Sequence, residues 1–401
     1  MEAQRIPGTA RIINVRQNDL TARARAAGDI ARMNATAVDA EARFPGEAFA
    51  EIRKQRLLGL QVPQPLGGEG ASIGEIADVC YILGQACSST ALIYAMHQIK
   101  MACIVRHAKG NVALERILSR IAAEQLLMAS STTEGQSGGN VRSSEAAIEH
   151  VGEQVTLERK ATVISYAVEA DGIVTTARRA ADAAGSDQVL LVLLKADYAL
   201  ERLQIWDTLG MRGTHSEGFT LRARAAAEQI IPEPYDRIHA QTMVPFAHLL
   251  WGSVWAGIAA AATGKAQAFL RHAVRSSNGQ MPPGAAHFTQ AVSTLRTLRG
   301  VLAANLRSYE LIMSDEKAIS SLEFQAAITL TKVQVSELAV AAVMSSLRAC
   351  GLAGYRNDTE FTIGRLLRDV LSAPIMINND RILTNLATTS LMTPLPASIS
   401  G

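Results

Sequence analysis

The chain is expected to be an α+β protein, mainly α, in which a helical domain, a middle β domain and a second helical domain follow one another. Three observations carry that expectation. Up to about residue 123 and again from about 236, apolar side chains recur at helical spacing. Between about 124 and 235 the pattern changes to short β-prone runs split by Gly, Asp and Ser. Pro232 and Pro234 then punctuate the return to helix. The expected domains are therefore 1–123, 124–235 and 236–401.

In the first domain, Phe49, Ile52, Leu57 and Leu58 form one apolar stripe that Gly59 is expected to end as a C-cap. The segment Val62-Pro-Gln-Pro-Leu-Gly-Gly-Glu-Gly70 must turn irregularly, because its prolines and glycines forbid continuation of helix or strand. Helices are expected from Ile73 to Gln85 and, after the capping cluster Ser88-Ser89-Thr90, from Ala91 to His107. The second of these is apolar on nearly every face, which places it centrally. Strands are expected around Val155–Leu157, Ile173–Thr176, Val189–Leu194 and Phe219–Arg222. From about Met243 to Met344 long Ala-, Leu- and Val-rich helices suit a helical bundle, and Glu316 to Arg348 runs without Gly or Pro towards Gly351. Their wide apolar faces leave area for subunit contacts, so a homo-oligomer, dimer or tetramer, is expected.

Composition narrows the function classes. Among 401 residues, 48% are apolar and 19% charged, and 39 basic against 37 acidic side chains leave a net charge of +2. That balance speaks against disorder and against nucleic acid as the main partner, which needs clustered positive charge. The longest apolar run, Leu249 to Thr263, is shorter than the ~20 residues a bilayer requires, so no membrane span is expected. Cys80, Cys87, Cys103 and Cys350 sit in apolar helix-like segments without C-x-x-C spacing, which fits small core residues rather than a disulfide or a metal site. Met1 to Arg16 lacks a charged-then-apolar leader, and a cytoplasmic location is expected.

Four segments, in order, resemble the acyl-CoA dehydrogenase superfamily of flavoproteins. They are Leu58-Gly-Leu-Gln-Val-Pro-Gln-Pro-Leu-Gly-Gly-Glu-Gly70; Thr132-Thr-Glu134 with Gly138-Gly-Asn140; Trp206-Asp-Thr-Leu-Gly-Met-Arg-Gly-Thr-His-Ser216; and Cys350-Gly-Leu-Ala-Gly-Tyr355 with Arg368-Asp369. The resemblance implies that family's fold, which makes the last helical bundle a four-helix bundle, and FAD as cofactor. Thr133 matches the family's strand threonine, and Ser165 matches the hydroxyl residue that meets the reactive flavin nitrogen. Ser131, Gly139 and Asn379 join them as expected cofactor contacts. Val163 stands where the family has a tryptophan. The turn Gly351-Leu-Ala-Gly354 lets backbone approach a pyrophosphate closely, and in the family it serves the FAD of a neighbouring subunit. Arg348 replaces the family's glutamine there, and Arg275 is the nearest match to an adenine-side arginine.

The catalytic base is the departure. A family dehydrogenase takes a proton beside a thioester while hydride leaves for the flavin, which requires a carboxylate opposite the ring. The family's common base position falls on Ile377 and its second location on Ala247. Candidates for a substitute are His97, His248, Asp380 and Glu134. Each has a structural alternative: hydrogen-bonded core imidazoles for the histidines, a turn cap for Asp380, bonds to backbone donors for Glu134. Three functions remain open. The first is α,β-desaturation of an acyl thioester on coenzyme A or a carrier protein, with electrons passed to an acceptor. The second is flavin monooxygenation of nitrogen, sulfur or an aromatic carbon with dioxygen, and the third is binding of flavin or thioester without turnover.

Overall fold

The computed structural model describes residues 7–134 and 141–392. The first helical part comprises α1 (Pro7–Ala40), α2 (Gly46–Lys54), α3 (Ile73–Gly84), α4 (Ser88–His107) and α5 (Val112–Glu124). Among the described residues seven strands follow: β1 (Met128–Ser131), β2 (Glu149–Val151), β3 (Gln154–Ser165), β4 (Gly172–Arg178), β5 (Gln188–Leu194), β6 (Tyr198–Gln204) and β7 (Ser216–Ala226). Then come α6 (Tyr235–Ile238), a π-helical turn (His239–Met243), α7 (Val244–Ser276), α8 (Ala285–Ile312), α9 (Glu316–Ile319) and α10 (Leu322–Cys350). The short helices α11 (Leu352–Tyr355), α12 (Gly364–Val370) and α13 (Ser372–Ile375) lead to α14 (Asn379–Met392).

The strands form two sheets, β1-β4-β5 with β1 parallel to β4, and an antiparallel β2-β3-β7-β6. β4 and β5 are buried along nearly their whole length, which is why they read as continuous apolar runs. Two strands have no β signature in the sequence. Met128-Ala-Ser-Ser131 lacks β-branched residues, and Tyr198-Ala-Leu-Glu-Arg-Leu-Gln204 consists largely of helix formers; pairing with β4 and with β7 decides their conformation.

Three details depart from the sequence expectation. The helix α2 stops at Lys54 and the left-handed residue is Arg56, not Gly59. Gly59 serves close packing instead: a Cβ there would stand 2.8 Å from the Ala122 Cα. Ser88, Ser89 and Thr90 lie inside α4, whose N-cap is Cys87 and has no side-chain bond. The stretch from Glu316 to Arg348 is broken, because Ser321 caps α10 through its hydroxyl on the Phe324 N–H.

The family-like motifs meet in space. Gly210 packs against Arg368, where a Cβ would lie 2.2 Å from its carbonyl oxygen. The neighbouring Met211 N–H donates to the Asp369 carboxylate at 2.8 Å, and Arg368 donates to the Leu209 carbonyl at 2.9 Å while pairing with Asp39. The Val62–Gly70 turn closes through Gly70 N–H to the Val62 carbonyl and admits only glycine at 68, whose Cβ would sit 2.1 Å from that same oxygen.

The helix α7 is the axis of the last domain and packs on α3, α4, α8 and α10. By length and composition Tyr235–Ser276 and Leu322–Cys350 are each long and apolar enough to cross a bilayer, although the longest unbroken apolar run is shorter than that. In the fold, 83% of the most apolar window of the first is buried against protein, and 50% of the second. All four cysteines are buried and unpaired.

Candidate active site

Pro245 shapes the entrance to α7. Lacking an N–H, it cannot bond the Gln241 carbonyl one turn back, and the Tyr309 hydroxyl donates to that oxygen at 2.9 Å. The backbone opens there into the π turn His239–Met243. In a regular α-helix residues at i and i+9 lie about half a turn apart. The wide turn alters that phase, and His239 and His248 both face one cavity.

That cavity has a volume of about 610 Å³ and lies between the strands and the rear helices. One wall comes from β1, β3 and the segment after β1: Ser130, Thr132, Thr133, Thr162, Val163 and Ser165. Ser165 is held by a hydroxyl relay, 2.8 Å to Ser216, which lies 2.8 Å from Thr214, which donates to the Met211 carbonyl at 2.9 Å. Val163 keeps 39% of its surface exposed, so it lends the wall an apolar face. The opposite wall presents Lys100 from α4, His239 and Met243 from the π turn, and Ala247, His248 and Trp251 from α7. Ile377 and Arg381 close the end nearest α14.

Among the described residues lining this cavity there is no aspartate or glutamate. Ile377 and Ala247, where the sequence resemblance places the family's base, both line it. Ile377 adopts φ +51, an unusual conformation for a β-branched residue, with its carbonyl accepting from the Lys332 ammonium at 2.7 Å. His248 donates Nδ1–H to the Ile328 carbonyl at 3.0 Å, which leaves Nε2 as acceptor. Burial holds this imidazole down at about 4 and His239 at about 3, the latter also opposed by Arg142, His248 and Lys100. Both rings are therefore neutral acceptor–donor groups at neutral pH.

The other expected site residues are dispersed. His97 is fully buried outside the cavity lining; its Nε2–H donates to the Leu58 carbonyl at 2.9 Å and its Nδ1 accepts from the Met128 N–H at 3.0 Å. With both nitrogens occupied it ties α4 to β1 and has no free site for proton transfer. Asp380 is exposed on the first turn of α14 and does not line the cavity. Glu134 is turned to the Glu145 and Ala146 N–H groups and to Arg159. Asn379 is buried beneath the cavity, accepting from Lys332 at 2.7 Å and donating to Ser336 and Glu337. Ser131 is buried in β1 with its hydroxyl unpartnered among the described residues. Gly139 lies outside the described residues.

Arg275 lines a separate groove of about 560 Å³ with Arg271 and Phe288. Arg348 and Gly351 are exposed at the end of α10, with Gly351 at φ +55 and open space where its Cβ would be. Gly354 is buried, and a Cβ there would meet Cys350 at 2.6 Å, so the glycine allows close packing of this turn on α10. Sequence reasoning missed Lys100, His239, Trp251 and Arg381. The lysine could have been found, since it is the one charged residue inside the otherwise uncharged stretch Ser88–Val105.

The first wall fits a flavin ring: it offers hydroxyls at several heights and an apolar face. The cavity also holds an unsatisfied donor, the buried Trp251 indole N–H, which has no partner among the described residues.

Comparisons with known proteins bear on the family and the fold. The sequence pattern of the acyl-CoA dehydrogenase N-terminal domain matches residues 16–125, and that of the C-terminal domain matches residues 253–391. Among curated relatives, a probable acyl-CoA dehydrogenase of Bacillus subtilis is 23% identical, covering 83% of this chain and 86% of its own. The L-evernosamine nitrososynthase of Micromonospora is 26% identical over 87% of this chain and 84% of its own. Among solved structures, the methanesulfinate monooxygenase MsuC of Pseudomonas fluorescens superposes with a TM-score of 0.81 at 18% identity, covering 94% of this chain and 98% of its own. FMN-bound TdsC of Paenibacillus also gives 0.81, at 15% identity over 94% and 98%. The chain belongs to the acyl-CoA dehydrogenase family of flavin-dependent oxidoreductases.

Proposed function

We propose that this chain is a flavin-dependent monooxygenase rather than a desaturase of acyl thioesters. The observation that carries the reading is the cavity without a carboxylate, in which both family base positions hold hydrocarbon, Ile377 and Ala247. Abstraction of a proton beside a thioester needs an acceptor at that place; oxygen transfer does not. The relatives and neighbours named above include a nitrososynthase and a monooxygenase, which supports the same direction.

When bound and reduced, a flavin gives two electrons to dioxygen, one oxygen atom entering the substrate and the other leaving as water. The chain's own residues supply the surroundings. Thr133, Ser165 and Val163 line the strand wall, where the two hydroxyls would hydrogen-bond the ring edge and the valine would cover a face. His248, neutral and fixed by Ile328, offers Nε2 to a substrate N–H or O–H or to a water, and His239 does so from the π turn. Trp251, Ile377 and Met243 give the cavity an apolar portion, which limits water beside the reacting atoms.

FAD is the cofactor in this reading, with Arg348 and the Gly351 turn reserved for the nucleotide of a second copy of the chain. Flavin released from the purified protein, separated against FAD and FMN standards, tests that part. The reaction itself is tested by reducing the holoenzyme and admitting 18O-labelled dioxygen with an amine, a thioether or indole. One 18O atom in the product is expected. Reoxidation to peroxide with unlabelled organic compound throughout would overturn the assignment.

A further inference from the structure

Lys100 has no architectural explanation. It lies on α4, is 3% exposed, and lines the cavity. Its ammonium carries three donors, and among the described residues its hydrogen-bond partner is the Met243 sulfur at 3.5 Å, a weak acceptor already used by the Tyr235 hydroxyl at 3.4 Å. Buried charges are ordinarily paired. The titratable groups that share the cavity with it, His239, His248 and Arg381, are all basic.

We propose that Lys100 anchors the substrate, and that the substrate is a small organic carboxylate whose negative group is inserted against α4 while the atom to be oxidised faces the strand wall. The inference rests on the monooxygenase reading and gives it a substrate class. A carboxylate would provide the acceptors that the ammonium lacks, and with both imidazoles neutral the other charged side chain lining the cavity, Arg381, is also positive. A hydrocarbon tail, as in a fatty acyl chain, would leave the lysine buried and unpaired. Burial lowers the amine to about 8, which keeps it mostly protonated at neutral pH.

The test uses the oxidised holoenzyme, without turnover, and matched pairs of acid and amide: benzoate with benzamide, hexanoate with hexanamide, indole-3-acetate with indole-3-acetamide. Titration calorimetry at fixed ionic strength is expected to show at least one acid binding about tenfold tighter than its amide, the scale of a charge-assisted hydrogen bond. In Lys100→Met that ratio falls to about one with amide affinity unchanged, and Lys100→Arg restores part of it. If every amide binds as well as its acid in the wild-type protein, the proposal is wrong. It is equally wrong if Lys100→Met weakens flavin retention and leaves the acid preference intact, because the anion served would then be the cofactor's own. Since no oxygen chemistry is read, failure here is separable from failure of the 18O experiment.

Discussion

Two buried lysines, Lys332 and Lys100, solve the same electrostatic problem in opposite ways. Both are almost fully excluded from solvent, and burial lowers both amines to about 8. Lys332 donates to the Ile377 carbonyl and to Asn379 at 2.7 Å each and lies 5.7 Å from the centre of the Trp255 ring. Its charge is used up in holding the Ile377 turn. Lys100 has a thioether and a cavity. The lesson extends to the histidines: His97 spends both nitrogens on backbone, whereas His248 spends one and keeps Nε2 as an acceptor. A buried polar group whose partners lie within the protein is architecture; one whose partners are missing beside a cavity is recognition.

The largest effect that would sharpen this contrast is expected from His97→Ala. It strands the Leu58 carbonyl and the Met128 N–H and opens a void, at a cost of about 4 kcal/mol. Urea unfolding should show that loss, with the acid-to-amide ratio unchanged in whatever folded protein remains; a stable variant with altered ligand preference would break the contrast.

Acid follows. Burial lowers His97 and His248 to about 4 in the folded protein from an ordinary value near 6.5. The unfolded chain therefore binds more protons between those values, so stability is complete above about 6.5 and is lost as pH falls towards 4, on the order of 3 kcal/mol for each ring. Equilibrium unfolding across that window checks the slope, and His248→Gln should flatten it.

Lys332→Met is expected to cost about 2 kcal/mol, because relief of the buried charge is outweighed by two orphaned oxygens and a loosened Ile377. Lys100→Met has the opposite sign: it removes an unpaired buried charge and is expected to gain about 1 kcal/mol in thermal or urea unfolding. Equal signs for the two substitutions would erase the distinction between them.

Much of the fold was legible because its punctuation is local. The Val62–Gly70 turn, the buried β4 and β5 runs, and the Leu209-Gly-Met-Arg212 turn announce themselves through Gly, Pro and apolar runs. Strands β1 and β6 were not legible, since Ser131 and Glu201 adopt extended backbone only because β4 and β7 lie beside them. Ile377 and Ala247 were legible as the places where the resemblance expects a carboxylate and the chain has hydrocarbon, and both residues line the cavity. Which of the polar candidates reach the cavity was not legible. Asp380 is adjacent to the right loop yet exposed, His97 is on the right helix yet turned to backbone, and His239 reaches the cavity only through a π turn that no periodicity reveals.

The central claim is that this member of the family does not draw a proton from an acyl thioester. Anaerobic mixing of the oxidised holoenzyme with acyl-CoA thioesters of short, medium and branched chain, followed at the flavin absorbance near 450 nm, tests it most directly. The account predicts that the yellow band persists with every thioester; rapid bleaching by any of them would contradict it.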